Sequence, residues 1–188
     1  IIAAGLGSRL GELTKDIPKC MLELNGKSIL QHQLASYEAN GISDISVVRG
    51  YKKEKINQEN LTYYENPDFK NNNILNSLFY AEPAINGNVI ISYSDIVFSP
   101  KVVERLMECN ADIAIVADID WRGRYVSRDD HPIEEAENVI FDANHSVIDI
   151  GKIMTSTGDV HGEFIGMMKF TPHGAEVFKR HFHRAKKL

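Results

Sequence analysis

The stretch from Ile1 to Lys19 constrains this chain more than any other part of it. Ile1-Ile2-Ala3-Ala4 is an apolar run, too short and too rich in small residues for a helix, and reads as a buried parallel strand. The chain then breaks into Gly5-Leu6-Gly7-Ser8-Arg9, with Thr14 and Pro18-Lys19 following. Glycines at 5 and 7 remove the Cβ atoms that would hold an anion away from the backbone, so several peptide N–H groups can face phosphate oxygens. Arg9 adds a planar, charged fork and Lys19 a point charge. By its chemistry this is a triphosphate-binding loop. Arg9 and Lys19 are its catalytic candidates, and Ala3, Ala4, Gly5, Gly7 and Ser8 are its nucleotide-binding positions.

Other glycine loops fit less well. A Rossmann dinucleotide fingerprint wants a small residue three places after Gly7, where Leu10 stands. A P-loop wants a glycine five places before Gly26-Lys27-Ser28, and Met21 is there instead. An ordinary strand and turn is the remaining reading, one without function.

The 188 residues carry a net charge of −5, which argues against a general nucleic-acid binder and makes any phosphate site a local basic patch. The two cysteines, Cys20 and Cys109, suggest neither a disulfide framework nor a zinc spacing, and a reducing cytoplasm is expected. No run approaches a membrane span, so no membrane association is expected. We expect a single domain over residues 1–188, cut at both ends.

Turn and cap residues divide the chain into alternating strands and helices. Asn25-Gly26 marks a tight turn, and Ser28 caps a helix that runs to about Asn40. Strands are expected at Ile45–Val48, Leu61–Tyr64, Asn88–Ser92 and Ala111–Ala117. Helices are expected at Lys52–Glu59, from Ile74 to about Ala81, from Ser99-Pro100 to about Cys109, and after Thr171-Pro172. Glu137–Phe141 and Ser146–Ile150 alternate as an antiparallel hairpin, and Gly162–Phe170 reads as one more strand. The order implies a mainly parallel sheet with right-handed crossovers. Between Asp118 and His131 the chain has no period and mixes aromatic residues with charges of both signs, as functional loops do.

Asp95 follows a buried strand on the edge that the glycine loop faces, where a hard cation can be held between protein and phosphates. A turn aspartate satisfied by backbone amides is the plainer alternative. Asn73 and Ser77, at a helix start, can donate to a base or ribose, or merely cap the helix. Trp121, Tyr125, Asp129, Glu135 and Glu163 can line a pocket for a small amine, since aromatic faces and carboxylates both favour a cation. A tryptophan packing the loop on the core would look the same. Lys152 can meet an acceptor's phosphoryl group or simply sit on the surface. A hexose phosphate would call for many neutral hydrogen-bonding side chains, and the segment Asp120–His131 offers only Ser127 besides Tyr125.

The compound pattern Gly-x-Gly-Ser-Arg, then Thr14, then Pro18-Lys19 resembles the signature of nucleotidyltransferases that activate sugar phosphates and small alkyl phosphates. Tyr64-x-Asn66-Pro67 and Asn73-Ile74-x-x-Ser77-Leu78 resemble its cytidylyltransferase branch. Asp118-Ile119-Asp120-Trp121, His131-Pro132, Glu135-Ala136-Glu137 and Gly162-Glu163-Phe164-Ile165-Gly166 strengthen that likeness. The combination looks most like the cytidylyltransferase domains found beside phosphoenolpyruvate phosphomutase.

The resemblance covers nearly the whole chain and implies a three-layer α/β, Rossmann-like nucleotidyltransferase fold with a mainly parallel mixed sheet. It implies Mg²⁺-dependent transfer of CMP from CTP to a small phosphonate or phosphate acceptor, like 2-aminoethylphosphonate or phosphocholine, with release of pyrophosphate. Asp95 stands where the family has its metal-binding aspartate, with Ser94 in place of a common glycine. A second acidic ligand is expected beyond residue 188. Partners would be CTP and the acceptor; an upstream phosphomutase domain and a homo-oligomer stay open. Two alternatives also stay open, a sugar-1-phosphate nucleotidyltransferase and a non-catalytic nucleotide sensor. An NAD-dependent oxidoreductase is disfavoured by Leu10, and by Arg49 where an acid should end the second strand.

Overall fold

β1 (Ile2–Ala3) is short and buried on both faces in the computed structural model, which describes residues 1–71, 73–126, 132–156 and 158–187. Its two side chains enter different cores: Ile2 meets Leu78, Ile85, Ile91 and Phe170, while Ala3 meets Cys20, Leu30, Val47 and Ile56. A hairpin of β2 (Glu23–Leu24) and β3 (Lys27–Ser28) turns on Asn25 and Gly26, whose φ of 52° and 78° are the positive pair such a turn requires. Ser28 then caps α1 (Ile29–Glu38). Its hydroxyl accepts from the Gln31 N–H, and the Gln31 side chain accepts from the Ser28 N–H, so two orphan donors are satisfied at once. β4 (Ser46–Arg49) and β5 (Thr62–Glu65) run parallel to β1 in the order β1-β4-β5.

α2 (Ile74–Leu78) follows, capped by the Asn73 side chain, which accepts from the Asn76 N–H. β6 (Val89–Ser92) comes next, and Tyr93 just beyond it bridges Ile2 in parallel sense. α3 (Pro100–Glu108) begins with Pro100 at its first position. β7 (Ile113–Asp118), β8 (Asn138–Phe141), β9 (Val147–Gly151), β10 (Gly162–Phe170) and α4 (Pro172–Ala185) complete the order. The chain forms two compact units, one of Ile1–Ala114 with Met168–Leu188, the other of Ile115–Met167.

In the first unit α1 covers one face of the parallel strands through Leu30 against Val47. Leu78 of α2 and Ala175 of α4 cover the other, against Ile2 and Ile91. These are the three layers expected, with apolar runs between helices as a parallel sheet requires. In the second unit β8 pairs antiparallel with both β9 and β10, so the strands as a whole are of mixed sense. Asp142 closes the β8–β9 turn by accepting from the N–H groups of Asn144 and Ser146 at 2.9 and 2.8 Å.

Three expectations need correction. Lys52–Glu59 is not a helix; only Lys53–Lys55 makes a 3₁₀ turn. Lys52 sits at a left-handed φ of 47°, and the one apolar residue, Ile56, is extended and wholly buried. A single apolar anchor gives a short helix no face to bury, so nucleation is not offset. The helix at Ile74 ends at Leu78 and tightens to 3₁₀ over Phe79–Ala84, because Pro83 lacks an N–H and excludes a longer α-helix there. Third, the loop after Asp118 contains a 3₁₀ turn, Trp121–Tyr125, with both aromatic rings buried. Ser127, Asp129 and His131 lie outside the described residues. No helix among those residues is long and apolar enough to cross a membrane.

Candidate active site

Gly7 takes a left-handed φ of 66° and turns the chain from β1 into a 3₁₀ segment, Ser8–Thr14. A Cβ at Gly7 would stand 3.3 Å from Thr14 Cγ2, while one at Gly5 would meet nothing within 4 Å, so the backbone is open there. Thr14 is buried, and its hydroxyl donates to the Gly7 carbonyl at 2.9 Å, fixing the loop's shape. Gly5, Ser8 and Arg9 are exposed.

Pro18 and Cys20 are buried and hold the backbone on either side of Lys19, which projects outward. Burial pushes the Cys20 thiol up to about 12, so it stays protonated. Lys19 Nζ reaches Asp95 Oδ2 at 2.7 Å, with 37% and 35% of the two side chains exposed. Two residues picked from sequence 76 positions apart therefore meet.

Asp95 is delivered by the turn after β6, and that turn is held from behind by α1. Gln33, fully buried, donates through Nε2 to the carbonyls of Tyr93 and Ile96 at 2.8 and 2.7 Å. Tyr37 donates to Ser92 Oγ at 2.8 Å, and Ser36 to the Phe98 carbonyl at 2.7 Å. Sequence reading passed over Gln33. The available signal was a polar residue between Leu30 and Tyr37 on the buried side of α1.

Asn73 is an exposed helix cap. Ser77 is buried, accepts from Asn66 Nδ2 at 2.9 Å and donates to the Asn73 carbonyl at 3.1 Å, so its hydroxyl positions the turn. At the same strand ends Gly50 permits a close approach, since a Cβ there would lie 2.8 Å from Phe69 Cβ and 2.9 Å from the Ala4 carbonyl. A cavity of about 340 Å³ opens beside it, lined by Gly50, Lys53, Glu65, Asn66, Pro67 and Phe69. A larger one of about 730 Å³ opens around the starts of the strands, at Ser46, Thr62 and Asn88, and has no part in this site.

In the second unit Tyr125 donates to Glu163, joining two of the predicted acceptor residues. Trp121 is 4% exposed and packs with Tyr125, Ala136 and Val160. Its ring meets Tyr125 edge-on at 5.8 Å, and the Arg122 guanidinium lies 4.9 Å over it. The indole is thus a core element whose cation partner is already supplied by the chain. Lys152 is exposed on the loop after β9, and Glu135 is half-buried in a 3₁₀ turn.

A hard divalent cation keeps several waters and takes one or two carboxylates together with substrate phosphates. Asp95, partly exposed at a strand end beside the loop, fits that donor set as one carboxylate. Among the described residues no group of three or more His, Cys, Asp or Glu converges on a metal site.

The sequence profile of the MobA-like NTP transferase domain matches residues 1–148. The chain belongs to this family. Its membership meets the expectation of a nucleotidyltransferase and sets the oxidoreductase alternative aside. CTP:phosphoglutamine cytidylyltransferase of Campylobacter jejuni is 32% identical over 182 residues, covering 91% of this chain and 72% of the relative. CMP-5'-(3-aminopropyl)phosphonate synthase of Streptomyces rubellomurinus is 32% identical over 125 residues, 62% of this chain but only 20% of that protein. The resemblance to phosphonate-type cytidylyltransferases is borne out by these relatives. The structure of CTP:phosphocholine cytidylyltransferase from Streptococcus pneumoniae superposes with a TM-score of 0.68 at 22% identity, over 94% of this chain and 71% of that one. That likeness establishes the nucleotidyltransferase fold.

Proposed function

We propose that this MobA-like NTP transferase domain moves CMP from CTP to a small phosphonate or phosphate, releasing pyrophosphate. The observation that carries the reading is the 2.7 Å contact between Lys19 and Asp95, which joins the glycine loop to a strand-end carboxylate. The curated relatives, whose names are cytidylyltransferases and a CMP-phosphonate synthase, support CTP as the nucleotide. Ala3, Ala4, Gly5, Gly7 and Ser8 receive the triphosphate through backbone N–H groups, Arg9 and Lys19 offset its charge, and Asn73 lies toward the nucleoside. Asp95, together with nucleotide phosphates, would hold Mg²⁺, which supplies further charge neutralisation when bound. On the acceptor side we assign Glu163 with Tyr125, Trp121 through its N–H, and Lys152 toward the anionic group.

An acceptor phosphonate or phosphate oxygen is ionised near neutral pH and attacks the α-phosphorus without a general base. The P–O bond to the leaving pyrophosphate breaks as the new one forms. The chain's work is to hold two anions together and in line, which is positioning and charge stabilisation. A cytoplasmic location, with residues 1–188 as one nucleotidyltransferase domain, is part of this reading.

Pyrophosphate release measured with each of the four triphosphates against a panel of acceptors tests the proposal. CTP with aminoethylphosphonate or phosphocholine should lead the panel. A sugar 1-phosphate as best acceptor would replace the reading with the sugar nucleotidyltransferase. Nucleotide binding without turnover on any acceptor would make the domain a sensor.

A further inference from the structure

We infer that the acceptor carries N–H donors of its own at the end away from phosphorus, and that Asn138 is the residue that recognises them. The inference rests on the cytidylyltransferase reading and adds the chemistry of the acceptor's far end. Asn138 opens β8, directly opposite Glu163 on β10 and directly opposite Gly151 on β9. Residues opposite one another on paired strands point to the same face, so these three positions form one row. Gly151 contributes no side chain to that row, and a Cβ built there would meet nothing nearer than the Ile153 carbonyl at 3.8 Å. Glu163 contributes a carboxylate anchored by the Tyr125 hydroxyl. Between the two, Asn138 Oδ1 is buried and accepts no hydrogen bond.

A second orphan lies in the same unit. Trp121 Nε1 is buried and has no acceptor. The indole packs on Ala136, two residues before Asn138 in the chain. Buried polar atoms in folded proteins are paired with few exceptions. One of these orphans belongs to a ring packed on Tyr125, whose hydroxyl anchors Glu163, and the other lies opposite Glu163, so both point to a partner supplied from outside the chain. An amide oxygen and a carboxylate only accept, so the group between them must donate at least twice. A primary ammonium does this. A trimethylammonium has no N–H and leaves Asn138 unpaired. Trp121, in turn, donates to an oxygen of the same ligand.

Three acceptors of similar skeleton separate these cases: 2-aminoethylphosphonate, its N,N,N-trimethyl derivative, and propylphosphonate, each assayed with saturating CTP. The wild-type chain should prefer the primary amine by about tenfold or more in kcat/KM. In Asn138→Leu that preference should shrink to about threefold or less, through the acceptor KM alone and with the CTP KM unchanged. An undiminished preference in Asn138→Leu overturns the inference, as does a wild-type chain that takes the trimethyl acceptor equally well. Asn138→Ser, a smaller change, should show a partial loss and serves if the leucine variant does not fold. Trp121 is the only tryptophan, so its indole N–H gives one NMR resonance readable without turnover. Turnover on none of the acceptors defeats the cytidylyltransferase reading, and the resonance then decides by itself. A shift with the amine but not the trimethyl compound, lost in Asn138→Ser, upholds the role of Asn138; equal shifts, none, or a selective shift that persists in Asn138→Ser overturn it.

Discussion

Lys19 and Asp95 are each more than a third exposed, so their ion pair adds little to stability, on the order of 0–1 kcal/mol. In the proposed function their placement serves the nucleotide phosphates rather than the fold. Lys19→Ala should therefore reduce turnover by about a hundredfold or more while unfolding stability stays within ~1 kcal/mol. Near-normal turnover would remove Lys19 from the site. Asp95→Asn should weaken Mg-CTP binding more than metal-free CTP binding; equal weakening would assign Asp95 to the nucleotide or to structure. Gly50 is the contrasting case, a residue fixed by packing. The Cβ of Gly50→Ala would press on Phe69 and the Ala4 carbonyl, and we expect a loss of about 1–3 kcal/mol in denaturant unfolding. A neutral result would mean that the Phe69 turn yields.

At the scale of elements, α1 acts as the support for the strand-end turn that carries Asp95. Gln33→Leu would leave the carbonyls of Tyr93 and Ile96 without their donor, at about 1–3 kcal/mol in stability. Turnover should fall with it, because the turn is no longer pinned. A loss of stability with kcat/KM untouched would limit Gln33 to the core. The segment after β9 is held by one carboxylate: Asp149 Oδ2 accepts from the Ser156 N–H at 2.7 Å and from the Thr155 hydroxyl and N–H at 2.8 and 2.7 Å. These bonds, the Ser156 N–H first, lower its pKa from 3.8 to about 2. A folded pKa below the unfolded one stabilises fully above pH ~4 and loses that contribution as pH falls through about 2. The stability gap between wild type and Asp149→Asn should thus be constant above pH ~4 and narrow toward pH 2. A gap that holds its size down to pH 2 would show that the carboxylate's charge is not what ties Lys152's loop.

For the whole molecule, the first unit is discontinuous in sequence. Its core joins Ile2, Leu78 and Ile91 to Phe170 and Ala175, contributed by residues after the second unit. A fragment of residues 1–114 lacks those side chains and leaves Leu78, Ile85 and Ile91 short of partners. It should show no cooperative thermal transition, whereas the full chain should; a sharp transition in the fragment would mean that the core closes without β10 and α4. The division also bears on mechanism. The glycine loop, Lys19 and Asp95 lie in one unit, and Trp121, Tyr125, Asn138 and Glu163 lie in the other. Substitutions in the second should alter acceptor discrimination and leave CTP binding alone.

Local chemistry made much of this legible from sequence. Asn25-Gly26, Ser28, Asn73 and Thr171 set turns and caps through their own backbone preferences, and apolar runs between them can only be buried strands. The loop with Gly5, Gly7, Arg9 and Lys19 reads as a phosphate site because exposed backbone N–H groups and cations stand close together in sequence. What the sequence did not carry were relations between distant residues. Gln33 beneath the turn of Asp95 is an unremarkable glutamine until tertiary packing buries it. Trp121 reads equally as a pocket face or as a core ring, and folding decides for the core, turning the ring onto Tyr125 and Arg122 and leaving its N–H unpaired. Lys52–Glu59 has a helix-like composition that the burial of Ile56 overrode. Backbone preference acts over a few residues and is written locally; burial and hydrogen-bond pairing depend on what the fold brings alongside, and only the tertiary structure decides that.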